Sequence, residues 1–139
     1  NHEDILGSLI SNPSLRESIR SKYGSGHQYA IDKLDNYMLN PCFIKIDIQG
    51  HEYECVKGSI KTIKKSKPII MIEFDTLIID KIYKVLRKFG YRKFYFISNK
   101  KELFEHKKEK VFNIFFIHNS LLKELNDKLK VTYFDNNKT

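Results

Sequence analysis

Two short apolar runs on either side of an amphipathic segment constrain the fold most strongly. The runs are FIKIDI at residues 43–48 and PIIMIEF at residues 68–74. Between them, residues 52–66 place apolar side chains on one face of a predicted helix and lysines mainly on the other. A strand, a helix and a further strand in this order are the unit from which parallel α/β sheets are built. The sequence therefore predicts an α/β fold.

The segments that follow continue this alternation. A second amphipathic helix is expected over residues 78–89, with Gly90 as its C-terminal cap. The runs YRKFYFIS (residues 91–98) and VFNIFFIH (residues 111–118) predict two further strands. The polar connection between them, residues 99–110, has no apolar helical face. We therefore expect these last two strands to form an antiparallel pair.

Three shorter helices are predicted outside these elements. Ser14 and Glu17 form a capping-box pattern at the start of SLRESIRSKY. A second short helix is expected over residues 34–39, and Pro41 ends it. The third runs from Ser120 to about residue 128.

The chain has the length and composition of one folded domain. It contains 139 residues, of which 41% are apolar, so a globular domain is favoured over disorder. We predict a single domain with an irregular lead-in at residues 1–30, an α/β core at 31–118, and a C-terminal helix and tail at 119–139.

Charge and cysteine content narrow the class of protein. The net charge is +8, from 25 Lys and Arg against 17 Asp and Glu, and Lys outnumbers Arg. We interpret this mainly as a solvated lysine surface, with an anion-binding surface as the alternative.

Cys42 and Cys55 lack metal-ligand spacing, which predicts buried free thiols in a reducing compartment. With neither a membrane-spanning run nor a signal-peptide pattern, the sequence predicts a soluble cytoplasmic protein.

Acidic side chains follow both apolar strands at the edge where α/β sheets bind ligands. Asp47 and Glu52 come after the first strand, and Glu73 and Asp75 come at the end of the second. For Asp75 we prefer a structural interpretation, as the cap of the following helix. Asp47 and Glu73 interrupt apolar strands and are interpreted as functional. Glu52 could be a functional carboxylate or a favourable charge in the first helical turn.

His51 lies between the strand and the helix, next to Gly50. Histidine side chains titrate near neutrality, so His51 could accept a proton from an attacking hydroxyl, or it could be an exposed loop residue. Gly50 is expected to allow a backbone turn that other residues avoid. Oxygen and imidazole ligands for a divalent cation are also present in this region, but their spacing fits no dedicated metal motif, and no metal ligand is assigned.

The region around these residues resembles the FkbM-type family of S-adenosylmethionine-dependent methyltransferases. The similarity is close over residues 31–75, in IDKLDNYM followed by CFIKIDIQGHEYECVKGSIKTIKKSKPIIMIEFD. The family's pattern joins a Leu-Asp pair, a strand ending in Lys-Ile-Asp, a Gly and Glu, a helix with an internal Gly, and a strand ending in Glu. The matching residues are Leu34, Asp35, Lys45 to Asp47, Gln49, Gly50, Glu52, Gly58 and Pro68 to Glu73.

The resemblance implies a fold, an activity and a cofactor. The fold is the class I methyltransferase type, a Rossmann-like doubly wound sheet with an antiparallel last strand. The activity is transfer of a methyl group from S-adenosylmethionine to an acceptor oxygen, such as a hydroxyl on a sugar, glycan or natural product. On this hypothesis Asp47 faces the transfer centre as a neighbour of the methyl group, His51 is the base, and Glu52 and Glu73 orient the acceptor, the base or a metal.

One departure from the family pattern concerns the cofactor. The family's donor site uses an earlier strand with a Gly-rich loop, whereas only Gly7, Gly24 and Gly26 precede residue 31. We therefore expect that the chain contains only the C-terminal half of the methyltransferase fold, and that by itself it binds S-adenosylmethionine weakly or not at all. An exposed edge on its first core strand would favour dimerisation.

The main alternative is a non-catalytic, methyltransferase-like binding module. Its basic surface would hold an anionic glycan, a membrane surface or a nucleic acid. Nucleic-acid binding is not favoured, because alternating Phe and Tyr in YRKFYFISNKK is more typical of a strand with one core face.

Overall fold

The structure is a computed structural model that describes residues 34–48 and 50–134. Its strands form a six-stranded sheet, so the α/β class is confirmed. The predicted helix at Ser14 and the final residues 135–139 lie outside the described residues. The described residues fall into two compact units that divide after Ile70, and each unit is described in turn. The division into lead-in, core and tail stays a prediction.

The first unit contains the strand–helix–strand segment. After a short 3-10 helix come strand β1, helix α1, helix α2 and the start of strand β2. Their bounds are Leu34–Tyr37 for the 3-10 helix, Phe43–Ile46 for β1, Glu52–Lys57 for α1, Ile60–Ser66 for α2 and Ile69–Glu73 for β2. The Ile69 N–H donates to the Cys42 carbonyl at 3.0 Å, so β1 and β2 begin side by side.

Alternation along β1 explains which face it buries. Ile44 and Ile46 are both 2% exposed, whereas Phe43 before them and Lys45 between them are exposed. Side chains on a strand point alternately to opposite faces, so the two isoleucines share the core face. Each removes most of an aliphatic side chain from water, which stabilises the fold by about 1.5–3 kcal/mol per residue.

The predicted single helix over residues 52–66 is wrong, because the chain forms two helices there. α1 ends at Lys57 and α2 begins at Ile60. Between them, the Ser59 hydroxyl donates to the Cys55 carbonyl at 2.6 Å, and the Ser59 side chain forms no cap for α2. The helical periodicity is similar on both sides of the break, which is why the apolar pattern alone did not reveal it.

Asp35 supplies the hydrogen bonds that the break would otherwise leave unmade. Its backbone N–H donates to the Gly58 carbonyl at 3.1 Å. Its carboxylate accepts from the Thr62 N–H and the Thr62 hydroxyl, both at 2.8 Å, and from the Lys61 N–H at 3.1 Å. Asp35 therefore caps α2 from a distant position in the sequence. The helix predicted over residues 34–39 is shorter than expected, ending at Tyr37 before Met38, whose φ is 51°.

The second unit contains the rest of β2 and all later elements. These are α3 (Thr76–Leu86), β3 (Tyr91–Ile97), β4 (Glu102–Glu105), β5 (Asn113–His118), α4 (Asn119–Asn126) and β6 (Lys130–Thr132), with 3-10 turns at Arg87–Phe89 and Ser98–Lys100. The strand order in this unit is β2-β5-β3-β4-β6.

β3 and β5 form the antiparallel pair that the sequence predicts. Tyr91 lies opposite His118, and Phe94 lies opposite Phe115. β5 also lies next to β2, since the Phe74 N–H donates to the Phe112 carbonyl at 2.8 Å. The last long strand thus fills the space beside β2, and the core residues Phe94 and Phe116 are fully buried.

The predictions of a polar connection without a strand at residues 99–110 and of a simple C-terminal tail are wrong, because these segments contain strands β4 and β6. β4 pairs antiparallel with β3, and β6 pairs parallel with β4. β4 carries a glutamate at each end, which conceals its strand character. Glu102 accepts from the Thr132 hydroxyl at 2.8 Å and lies 3.2 Å from the Lys130 ammonium, and both residues belong to β6.

Glu105 is buried in a pair with Arg92 on the neighbouring strand. The guanidinium donates to both carboxylate oxygens, at 2.6 and 2.9 Å, and the Arg92 side chain also lies over the Tyr133 ring at 4.6 Å. Burial costs a carboxylate its hydration, and only a two-point pair of this kind offsets most of that cost. The pair therefore explains how a charged residue can stand inside the sheet.

Helix α3 ends as the sequence predicts. Its last residues tighten into the 3-10 turn, and Gly90 follows with φ 88° in the left-handed region. A β-carbon on Gly90 would lie 2.7 Å from the Nε2 atom of His118. Gly90 is therefore required both by its backbone conformation and by the close approach of the His118 ring.

We expect Gly90→Ala to destabilise the protein more than Gly50→Ala. Gly50 also has a positive φ, of 86°, but open space surrounds its β-carbon position. Gly50→Ala should lower the free energy of unfolding by about 1 kcal/mol and Gly90→Ala by about 2–3 kcal/mol, measured by urea unfolding. Equal losses would show that the His118 ring can move away from the added methyl group without lowering the free energy of unfolding.

Asp35→Ala should lower the free energy of unfolding by about 2 kcal/mol, because it leaves the N–H groups of α2 without their acceptor. Thermal and urea unfolding measure the loss. The matched control is Asp47→Ala, since Asp47 is exposed. We expect the control to stay within about 0.5 kcal/mol of the parent protein. Equal stability of Asp35→Ala and the parent would contradict the capping role.

Candidate active site

The end of β1 presents a carboxylate to solvent. Alternation continues past the strand: Ile48 is 6% exposed and faces the core, whereas Asp47 is exposed. The structure therefore leaves Asp47 exposed at the end of β1. Its function in catalysis stays a prediction.

A tight turn follows β1 and fixes the position of His51. The His51 N–H donates to the Ile48 carbonyl at 2.7 Å, which closes the turn. Gly50 occupies the third position of this turn with φ 86°, a conformation that glycine adopts without strain. The predicted requirement for glycine is confirmed, and it is conformational, because no atom lies within 4 Å of a β-carbon built there.

His51 precedes the first residue of α1, and its imidazole is exposed. Its carbonyl accepts from the Cys55 N–H at 3.0 Å, so its backbone begins the helix. Its side chain makes no capping hydrogen bond. The ring therefore takes no part in capping the start of α1, and it is exposed four residues after Asp47, which is also exposed.

Glu52, the first residue of α1, differs in being only 7% exposed. A carboxylate in the first turn of a helix is stabilised by the partial positive charge of the helix N-terminus. The start of α1 therefore favours the Glu52 carboxylate, and burial leaves little of this side chain for direct contact with a ligand.

Cys55 lies one turn further along α1. Burial raises the pKa of its thiol to about 11, with a smaller contribution from the negative charge of Glu52, while a hydrogen bond with Ser59 acts in the opposite direction. Both cysteines are free thiols. The expectation that both are buried is wrong for Cys42, which is exposed because it precedes β1 instead of facing the core.

In the second unit, Glu73 and Asp75 have different environments. Glu73 ends β2 and is exposed. Asp75 is the cap of α3: its Oδ1 atom accepts from the Leu77 and Ile78 N–H groups, both at 3.1 Å. The structural interpretation of Asp75 is confirmed, and Glu73 remains the candidate functional residue of this edge.

The structure brings Asp47, His51 and Glu52 together in one turn of the first unit, and it places Glu73 at the strand end of the second unit. The convergence of the two sets stays a prediction. Within residues 34–48 and 50–134, no three His, Cys, Asp or Glu side chains are grouped so that they could hold a metal ion. No helix of the described segments has the length and apolar content needed to cross a membrane.

Besides Glu102 and Glu105, the second unit buries Lys93 and His106, which were not predicted either. Lys93 is 9% exposed, and burial lowers the pKa of its ammonium, which lies 3.9 Å from Asp80. His106 is 3% exposed, and its ring meets the Phe74 ring edge-on at 5.4 Å. Side chains alternate along β3, so Lys93 lies on the same face as Tyr91 and Tyr95, and this pattern could have indicated that Lys93 is buried. Strand β4, which precedes His106, was not predicted from the sequence, so no pattern indicated that His106 is buried.

The two thiols should react with iodoacetamide at very different rates near neutral pH. Cys42 is exposed, whereas Cys55 is partly buried with a raised pKa, so almost none of it is thiolate. Mass spectrometry should find Cys42 alkylated first, and Cys42→Ser should leave a slowly reacting protein. Comparable rates at both cysteines would contradict the environment described for Cys55.

The raised pKa of Cys55 also makes the stability of the protein depend on pH. Because the folded state favours the neutral thiol, the contribution of Cys55 to the free energy of unfolding is fully present below about pH 9 and is lost as the pH rises towards 11.

Comparison with known proteins supports the interpretation of this region. Searches of curated proteins and of solved structures gave no match. A comparison with protein families matches residues 27–93 to the Methyltransferase FkbM domain. The match covers Asp35 and every candidate site residue, and it agrees with the resemblance found in the sequence. Residues 27–93, slightly less than half of the chain, are therefore similar to the methyltransferase domain of the FkbM family.

Proposed function

We propose that this protein takes part in S-adenosylmethionine-dependent O-methylation of a hydroxyl on a sugar, glycan or other natural product. The observation that carries the proposal is the FkbM domain match, whose span includes both strand ends with exposed carboxylates. We further propose that the fold is the C-terminal half of the Rossmann-like class I methyltransferase sheet. The antiparallel pairing of β5 with β3 supports this proposal.

The described residues fit one end of the cofactor. S-Adenosylmethionine, when bound, supplies an electrophilic methyl group on a positively charged sulfonium. An exposed carboxylate such as Asp47 suits the neighbourhood of this charge. The described glycines, Gly50, Gly58 and Gly90, stand in three separate turns, so the described residues include no Gly-rich loop for the rest of the cofactor.

His51 is the proposed general base. Its exposed ring, held by a backbone turn instead of by side-chain bonds, can approach an acceptor hydroxyl and take its proton on a ring nitrogen. Glu73 is the proposed acceptor-orienting residue, because its exposed carboxylate can accept a hydrogen bond from a hydroxyl. Glu52 is buried, and we propose that it positions the turn that carries His51.

Two further proposals concern the cellular compartment and the oligomeric state of the protein. An exposed thiol such as Cys42 is typical of a reducing compartment, which favours the cytoplasm. β1 is an edge strand of the sheet among the described residues, so pairing of two copies along β1 is the proposed route to a dimer.

A non-catalytic binding module is the second candidate function. The observation in its favour is helix α2, which has the sequence IKTIKKS and contains no acidic residue. Lys61, Lys64 and Lys65 are exposed and spaced three and four residues apart, so they share one face. Like charges at this spacing repel, and a bound polyanion would relieve the repulsion.

Methyl transfer should depend on Asp47 and His51. In the complete protein, incubated with labelled S-adenosylmethionine and a panel of hydroxylated acceptors, Asp47→Asn and His51→Gln should each lower turnover by about 100-fold or more. Asp127→Asn is the matched control, because Asp127 is an exposed aspartate beyond the C-terminus of α4. Its turnover should equal that of the parent.

Full turnover by Asp47→Asn would contradict the assignment of the transfer centre. Salt-sensitive binding of heparin without any methyl transfer would favour the binding module instead. That binding should then weaken when Lys61, Lys64 and Lys65 are replaced by glutamine.

A further inference from the structure

Strand β1 has an open edge among the described residues. It stands at one end of the strand order β1-β2-β5-β3-β4-β6, so β2 is its only neighbour there. The Cys42 carbonyl accepts from the Ile69 N–H and therefore faces β2. Backbone groups point to alternate sides along a strand, so the N–H and C=O groups of Phe43 and Lys45 point away from β2. These groups are available to hydrogen-bond a further strand.

The exposed face of β1 carries two opposite charges, two residues apart. Burial alternates along residues 43–48, so Lys45 and Asp47 are both exposed on the same face. Within the part of the chain that the structure describes, neither side chain takes part in an ion pair. Residues directly opposite each other in an antiparallel pair share a face, and opposite charges in such positions attract. A second copy of β1 therefore offers each of these charges a partner.

Charge selects one register for two antiparallel copies of β1. Like charges would repel if Lys45 lay opposite Lys45, or Asp47 opposite Asp47. With Ile44 opposite Ile44, neither charge would have a partner. With Ile46 opposite Ile46, Lys45 of each copy lies opposite Asp47 of the other, and both pairs attract. This register also places Ile44 opposite Ile48 on the buried face, and its two-fold symmetry makes the two halves of the contact identical.

We propose that two copies of this protein pair antiparallel along β1, with Lys45 of each copy bonded to Asp47 of the other, and that this dimer is inactive. The inference rests on the proposed function and deepens it by adding regulation of the same site. Asp47 is the carboxylate proposed to lie beside the positively charged methyl donor. In the dimer this carboxylate is bonded to a lysine ammonium instead, so dimerisation and methyl transfer exclude each other.

Charge reversal at either position tests the pairing in the complete protein. Lys45→Glu places carboxylates opposite each other, and Asp47→Lys places ammonium groups opposite each other. In analytical ultracentrifugation, each single variant should raise the dissociation constant of the dimer by about tenfold or more. The double variant Lys45→Glu/Asp47→Lys exchanges the two charges and should return the dissociation constant to within about threefold of the parent value.

A charge change elsewhere is the matched control. Lys123 is an exposed lysine on α4, and Lys123→Glu changes the net charge by the same amount as Lys45→Glu. This control should dimerise as the parent does. Salt should weaken the parent dimer, because it screens exposed charges. Circular dichroism of every variant separates loss of the dimer from loss of the fold.

Activity tests the regulation. Turnover per molecule of the parent should fall as the protein concentration rises through the dissociation constant of the dimer. Turnover per molecule of Lys45→Glu should not change over the same range, because this variant stays monomeric and keeps Asp47.

The proposal is overturned if the parent sediments as a monomer at every concentration, or if both single variants dimerise as tightly as the parent. It is also overturned if the turnover per molecule of the parent is the same in monomer and dimer. Failure of the proposed function gives a different result: a dimer that responds to charge reversal as described, in a protein that transfers no methyl group at any concentration. That result would refute the function while the pairing along β1 stands.

Discussion

One carboxylate, that of Asp35, determines how the first unit can fold. It accepts hydrogen bonds from the Lys61 and Thr62 N–H groups, while its own N–H donates to the Gly58 carbonyl. A break between two helices leaves backbone N–H and C=O groups without hydrogen-bond partners inside the helices. Here Asp35 alone bonds to such groups on both sides of the break. The join between α1 and α2 thus depends on a residue that precedes β1.

The second unit meets a related constraint by pairing two buried glutamates with more exposed cationic side chains. The Arg92 guanidinium spans both oxygens of Glu105, and Thr132 and Lys130 engage Glu102. These contacts allow the sequence ELFE to form the strand β4, and they attach β6 to the sheet. Removing one partner of such a pair leaves a buried charge uncompensated, so each of these strands depends on polar contacts as much as on apolar burial.

The sequence was informative wherever apolar periodicity and local turn chemistry agree. The α/β class, the end of α3 at Gly90, the turn at Gly50, the cap at Asp75 and the pairing of β3 with β5 were all predicted, because each depends on neighbouring residues. The helix break at Ser59 and the strands β4 and β6 were missed. Their partners lie far away in the chain, as with Asp35 for α2 and Thr132 for Glu102, and no local pattern carries that information. The burial of Glu52 and the exposure of Cys42 likewise depend on tertiary packing.

The candidate site combines a rigid frame with exposed chemical groups. Ile46, Ile48 and the Gly50 turn are fixed by burial and backbone geometry, and Asp47 and His51 are exposed between and after them. The most direct test of their function is turnover per folded molecule, compared between Asp47→Asn and Asp35→Asn in the complete protein. We predict that Asp47→Asn folds normally and loses methyl transfer, whereas Asp35→Asn loses stability and keeps its activity in the fraction that remains folded. Equal turnover per folded molecule in Asp47→Asn and the parent would contradict the account.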